Sequence, residues 1–271
     1  MRKVVYSELR SAHASAVCEV HRAAFPPEHI ARSIFCSPGV GNYLSDILSA
    51  AETTYEAGRE HEFVGAFVEG RLVGYAHLRQ LAGSWHLNQV AVHPEYQGHG
   101  VGRRLVEIWY QRGQQRGCSL LSLDVDAENL RAFKWYQRLG FQIVSSLALY
   151  ESSVTSDDHF PPRQTDDILL NWEEAMETKQ RYGFAILRFA FQGRTYDVGW
   201  LGSFLKLRTA VPPPVLYEAI RRLPMVERVL LVAETSVDVR GLFNRAWKWV
   251  ATTHRMQVRT VDVLLREGTS R

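Results

Sequence analysis

The stretch "WHLNQVAVHPEYQGHGVGRRL", residues 85 to 105, limits most narrowly what this chain can fold into. Its first eight residues alternate as a half-buried strand does. From Val101 onward, Val101, Leu105, Ile108 and Trp109 share one helical face, and Gly117 stands in the stop position. Between strand and helix, Gly98, Gly100 and Gly102 crowd into five positions. Glycine loses more freedom on folding than any other residue, so such a cluster implies unusual dihedrals or a close backbone approach. A tight strand-to-helix connection is one reading. The other is an anion site: the helix start exposes unpaired N–H groups, its dipole adds positive potential, and Arg103 and Arg104 add charge. No Lys-Ser/Thr follows and Gly-x-Gly-x-x-Gly is not matched, which disfavours nucleotide hydrolysis and hydride transfer.

Around this loop the pattern predicts helices over 8–24 and from Val40 to Tyr55, then a hairpin, "EFVGAFVEGRLVGYAHLRQ", turning at Glu69-Gly70-Arg71. After the glycine-loop helix come a strand over 119–125, a helix from Glu128 to Leu139 and a strand from Phe141 to Tyr150. Residues 151 to 168 are polar, acidic and proline-containing, as a connection between domains would be. Beyond this connection the chain repeats the same order of elements. "FAILRFAFQGRTYDVGW" matches the first hairpin, with Gly193-Arg194 in place of Gly70-Arg71. The pattern then predicts a helix over 215–222, a strand over 227–234, a helix over 240–254 and a final strand over 256–265, an internal repeat.

With 271 residues, 46% hydrophobic and 23% charged, the chain can bury a sizeable core in one large or two small domains. Its net charge of +3 is spread out, so no nucleic-acid footprint is expected. Three cysteines, Cys18, Cys36 and Cys118, lack metal-ligand spacing and are expected as reduced thiols; no metal is expected. The absence of a signal pattern or an apolar span leads to the expectation of a soluble cytoplasmic protein without membrane contact.

The glycine stretch resembles the acyl-CoA-binding signature of the GCN5-related N-acetyltransferase (GNAT) family, Gln/Arg-x-x-Gly-x-Gly/Ala, here Gln97-Gly98-His99-Gly100-Val101-Gly102. A second landmark, "NLRAFKWYQRLGF", is similar to the family's Asn-x-x-Ala-x-x-x-Tyr-x-x-x-Gly-Phe, with Asn129, Ala132, Tyr136, Gly140 and Phe141 in place. The resemblance covers roughly residues 3 to 150. It implies an α/β (α+β) GNAT fold, a mixed and mostly antiparallel splayed sheet, followed by a smaller degenerate GNAT-like domain. Implied boundaries are 1–152 for the acyl-CoA-binding domain, 153–178 for a linker and 179–271 for the degenerate half. By the same resemblance, the backbone of Val90 and Val92 pairs with the pantetheine arm of acetyl-CoA. The amides of Gln97 to Arg103 (Gln97, Gly98, His99, Gly100, Val101, Gly102, Arg103) hold its diphosphate, Asn129 contacts its far end, and Tyr136 is the general acid.

A free alkyl ammonium must lose a proton before it can attack a thioester. In the histone-modifying branch of the family a glutamate eleven positions before the signature glutamine takes it, and here His86 holds that place. Histidine, with an ordinary pKa of about 6.5, suits the task. Strict alternation places His86, Asn88, Val90 and Val92 on one face of the strand. A partly exposed strand histidine that merely binds substrate or nothing at all, or a water chain through Asn88 or Gln89, is the alternative.

In the second half "RTAVPPPVL" replaces the glycine loop, and Pro212, Pro213 and Pro214 have no N–H to donate, so no diphosphate cradle is expected there. The function expected is direct transfer of an acetyl or other acyl group from acetyl-CoA to a primary amine of a small molecule, by a monomer or homodimer. A non-catalytic acyl-CoA sensor or scaffold, and an acetyltransferase of protein N-termini or lysines, are the alternatives.

Overall fold

The computed structural model describes residues 3–53, 60–155 and 168–263. Alternating and helical stretches of the first half become β1 (Val4–Glu8), α1 (Ala14–Ala24), a short α2 (Pro27–Ala31), α3 (Val40–Thr53), β2 (His61–Val68), β3 (Arg71–Leu81), β4 (Ser84–Val92), α4 (Val101–Gln115), β5 (Leu120–Asp126), α5 (Leu130–Arg138) and β6 (Gln142–Ser153). The second half supplies β7 (Ile168–Leu169), α6 (Trp172–Tyr182), β8 (Phe184–Phe191), β9 (Arg194–Leu201), β10 (Phe204–Arg208), α7 (Pro213–Arg222), β11 (Arg228–Glu234) and β12 (Lys248–Arg259). Each half thus runs helix, three antiparallel strands, helix, and a strand parallel to the third, which is the repeat expected from the sequence.

Two compact units are present, and neither is continuous in sequence. Of the described residues, the first unit holds 3–30, 41–53, 60–145 and 253–263; the second holds 31–40, 146–155 and 168–252. A boundary drawn at residue 152 would strip the first unit of Thr253–Arg259, which pair antiparallel with Asp126–Leu120 of β5. It would also strip the second of Leu147–Ser153, which pair with β11. Of the linker expected over 153–178, residues 156–167 lie outside the described residues, while 172–182 form α6.

In the first unit β1 to β5 lie in order, antiparallel except for the parallel β4/β5 pair, and β12 follows β5. Val101, Leu105, Val106 and Trp109 of α4 are buried on this sheet with Trp85, Leu121, Leu123, Tyr136, Phe141 and Met256. Full burial of each such side chain stabilises by roughly 1.5–3 kcal/mol. Gly113 lets α4 lie close: a Cβ there would stand 2.7 Å from Leu121 Cδ2 and 3.1 Å from Trp85 Cδ1. The second unit has its own core, which includes Leu187, Phe189, Leu205, Leu216, Ile220 and Leu231.

Three sequence expectations fail locally. The helix expected from residue 8 starts at Ala14, because Val4–Glu8 are captured as an edge strand by Val68–Val64 of β2. The helix expected over 240–254 is instead a single 3-10 turn at Leu242–Asn244 followed by β12. Its helical spacing of apolar residues is overruled by β-branched Val250, Thr252 and Thr253 and by a ladder waiting on β5. The final strand consequently ends at Arg259 and turns at Thr260–Asp262.

Candidate active site

β4 carries the first determinant of the site. His77 pairs with Gln89 and Leu78 with Leu87, so Asn88 has no partner on β3 and forms a bulge. The bulge reverses the alternation after it. His86, Gln89 and Ala91 therefore lie opposite Arg79, His77 and Tyr75, while Leu87, Val90 and Val92 lie opposite Leu78, Ala76 and Gly74. This corrects the expectation that His86, Val90 and Val92 share a face. Asn88 and Gln89 are both occupied: Asn88 Nδ2 contacts His77 Nδ1 at 3.0 Å, and Tyr75 Oη donates to Gln89 Oε1 at 3.1 Å.

The second determinant is where β4 and β5 part. Only Trp85–Leu87 pair with Leu121–Leu123. From Asn88 on, β4 keeps β3 as its ladder neighbour, and its edge toward β5 is open along Val90 and Val92. A parted parallel pair is a slot lined by unpaired main-chain donors and acceptors, which demand partners.

The glycine loop closes the end of this slot. After a 3-10 turn at Pro94–Tyr96, Gln97 is extended and its Nε2 donates to Val92 O at 3.0 Å. Gly98 and Gly100 have φ of +80° and +82°, the left-handed region, and a Cβ at either would meet nothing within 4 Å. Gly100 caps α4 without any side-chain hydrogen bond. The first amides of α4 therefore face outward beside exposed His99 and Arg103, as an anion cradle requires. Arg103 and Arg104 both reach Glu107, at 3.0 and 3.2 Å, so part of their charge is already balanced.

His86 is buried. Its Nδ1 lies 3.0 Å from Ser122 Oγ, which in turn lies 2.9 Å from Ser84 Oγ; its Nε2 faces Asp124 Oδ2 at 3.8 Å. Asp124, absent from the residues singled out in the sequence, sits one position past the last β4/β5 pair, and its side chain is 38% exposed. Arg255 of β12 holds it through two contacts, Nε to Oδ1 and a terminal nitrogen to Oδ2 at 2.8 Å. Burial lowers the His86 pKa to about 4, against the pull of Asp124 and with the push of Arg255 and Arg79. Nothing in the local sequence joins Asp124 to His86 or Arg255; only the register of three strands does.

Tyr136 is buried on α5, between Trp135 and Phe141, and burial raises its pKa, so the phenol keeps its proton. Asn129 is the N-cap of α5: its Oδ1 accepts from Ala132 N at 3.1 Å. That leaves its Nδ2 for any ligand. A cavity of about 870 Å³, lined by Glu62, Gln80, Arg112, Arg116 and Cys118, lies by contrast at the start of β4, the opposite end from the glycine loop. There the buried Glu62 is clamped by Arg112 at 2.7 Å and by Arg116.

The second unit lacks both determinants. β10 pairs with β11 along all five of its residues, so no slot opens between them. Pro212 caps α7 and Pro213 and Pro214 open it, which removes the outward amides.

Residues 29–141 match the Acetyltransferase (GNAT) family. Over 117 residues the chain is 31% identical to the N-alpha-acetyltransferase RimI of Mycobacterium tuberculosis, covering 41% of this chain and 71% of that protein. The chain belongs to the GNAT family of acetyltransferases. The spermine/spermidine N(1)-acetyltransferase of Bacillus subtilis is 28% identical over 148 residues, 51% of this chain and 91% of that one. A tandem GNAT protein from the clavulanic acid biosynthesis pathway is 13% identical, covers 95% of this chain and 99% of its own, and superposes with a TM-score of 0.63. The fold is therefore a tandem GNAT fold whose second half is degenerate. No helix among the described residues is long and apolar enough to cross a membrane, and no group of three His, Cys, Asp or Glu among them could hold a metal.

Proposed function

We propose that the first unit transfers an acetyl group from acetyl-CoA to a primary amine of a small molecule by direct attack, and that the second unit binds no acetyl-CoA. The observation that carries this reading is the meeting, at one end of β4, of a parted parallel pair and an uncapped helix start with two left-handed glycines. The residues fit the co-substrate. Open backbone at Val90 and at the Val92 amide, whose carbonyl already accepts from Gln97, suits the amide-bearing pantetheine arm, and the amides from Gln97 to Arg103 suit its diphosphate.

In this reading His86 takes the ammonium proton at Nε2, the ring nitrogen turned toward part-exposed Asp124, whose carboxylate stabilises the imidazolium formed. The freed lone pair attacks the thioester carbonyl, the new C–N bond replaces the C–S bond, Tyr136 gives its hydroxyl proton to the departing sulfur, and the second proton shed by the nitrogen as the amide forms restores the phenol. The two relatives are named for different amines, a polyamine and an alpha-amine, and both kinds belong in the acceptor panel.

Calorimetric titration of acetyl-CoA into the full chain and its Gly100→Pro variant, with thiol release followed against polyamines, small amines and a peptide N-terminus, tests the reading. Binding lost in the variant and thiol release with one of the small amines are expected. Equal binding in both proteins, or none in either, overturns the cradle. Binding without release by any amine favours a sensor, and release by the peptide alone favours a protein acceptor.

A further inference from the structure

Arg255 is the residue of greatest interest outside the family landmarks. It lies on β12, 131 positions from Asp124, yet the β5/β12 register sets the two side chains opposite each other. The fork of a guanidinium matches a carboxylate bidentately, and here it engages both oxygens of Asp124. Asp124 Oδ2 is left 3.8 Å from His86 Nε2, beyond hydrogen-bond length. Two opposed partners thus compete for one carboxylate.

From this arrangement we infer that Arg255 is a positioning residue, which grips Asp124 away from the His86 ring and so leaves Nε2 open to take a proton. Its role as a catalytic aid rests on the transferase reading above; the grip itself does not. With Arg255 present, Asp124 is half neutralised and close enough to stabilise an imidazolium once it forms. Without it, the carboxylate closes on Nε2 and holds a proton there before any amine arrives. The charged and titratable groups around His86 among the described residues are Arg79 and His77 on β3, Asp124 on β5 and Arg255 on β12. Arg79 and Arg255 oppose protonation of the ring, and Asp124 is the one carboxylate among these groups that can drive it. β12 thereby acquires a task in the first unit's chemistry, although the half that delivers it lacks a cradle of its own.

The test follows the His86 imidazole by NMR titration of its Cε1–H signal in the full chain, with the signal assigned by its loss in His86→Asn. Proton uptake is expected to move up by about one pH unit or more in Arg255→Gln, a tenfold or greater change in the protonated fraction at fixed pH. It should move down in Asp124→Asn and stay near wild type in Arg255→Lys, which keeps the charge. In the double variant Asp124→Asn/Arg255→Gln the upward shift, measured from Asp124→Asn, should shrink to the smaller part that loss of the Arg255 charge alone produces, because Arg255 then has nothing to grip. Wild-type titration in Arg255→Gln, or the same upward shift in the Asp124→Asn background, overturns the inference. Acetyl-CoA calorimetry on the same samples separates the two readings: a shifted His86 in a protein that binds no acetyl-CoA sinks the transferase assignment while the grip stands.

Discussion

Leu87 and Leu123 are the last residues at which β4 and β5 pair in parallel. Beyond them Gln89–Val92 have one ladder neighbour where an inner strand has two, and the bulged Asn88 has none. If the pantetheine arm completes that ladder, acetyl-CoA will slow hydrogen exchange at amides in 88–92 and in 97–103. It will leave the fully paired β10 unchanged. Exchange measured by mass spectrometry with and without acetyl-CoA decides it; protection at β10, or none at 88–92, counts against the slot.

Gly100 can be separated from a merely structural glycine by a matched control. Gly100 and Gly117, at the two ends of α4, both have left-handed φ and open space where a Cβ would go. Alanine at either position costs about 1 kcal/mol of backbone strain. Gly100→Ala should in addition weaken acetyl-CoA about tenfold, because the strained turn re-aims the amides of the cradle. Gly117→Ala should leave affinity as it was, by calorimetry, with a similar fall in stability by urea unfolding.

Tyr136 is buried, with Trp135 and Phe141 against its ring. Phenylalanine should therefore fold with stability within about 1 kcal/mol of wild type. As the proton donor to sulfur it should nevertheless carry roughly 10²-fold of kcat, with acetyl-CoA affinity little changed. Steady-state kinetics with the amine found in the panel, beside thermal melts, reads both. A kcat within twofold of wild type would return Tyr136 to the core.

Much of this was legible because it is local. The strand, glycine loop and α4 follow from adjacent residues. Features that depend on register were not legible. Asn88 looks like any strand residue until β3 refuses it a partner, and that one bulge moves Val90 and Val92 off the face of His86. Asp124 and Arg255 are ordinary charges in sequence, and only the β5/β12 pairing joins them. The first part of β12, Lys248–His254, was hidden by apolar spacing compatible with a helix, whereas its end, Met256–Arg259, was legible as strand; the open edge of β5, contributed by residues far away in the chain, decides the matter.

His21 and His86 make a prediction about acid stability. Burial holds their folded pKa values near 3 and near 4, below the ordinary value of about 6.5 that applies in the unfolded chain. His77, stacked on Phe63 and bonded to His61, is shifted the same way. A histidine whose folded pKa is depressed stays neutral in the native state while its unfolded counterpart takes a proton. The unfolded state therefore binds more protons between about pH 6.5 and 4, and stability rises with pH across that window. Between pH 7 and pH 5 the loss is about 2 kcal/mol for each of His21 and His86. Urea unfolding at a series of pH values should show this slope, and His86→Gln should make it shallower by roughly the share of one histidine. An unfolding free energy that is flat from pH 7 to pH 5 would mean that these rings are hydrated or protonated in the native state, and the buried neutral base would go with them.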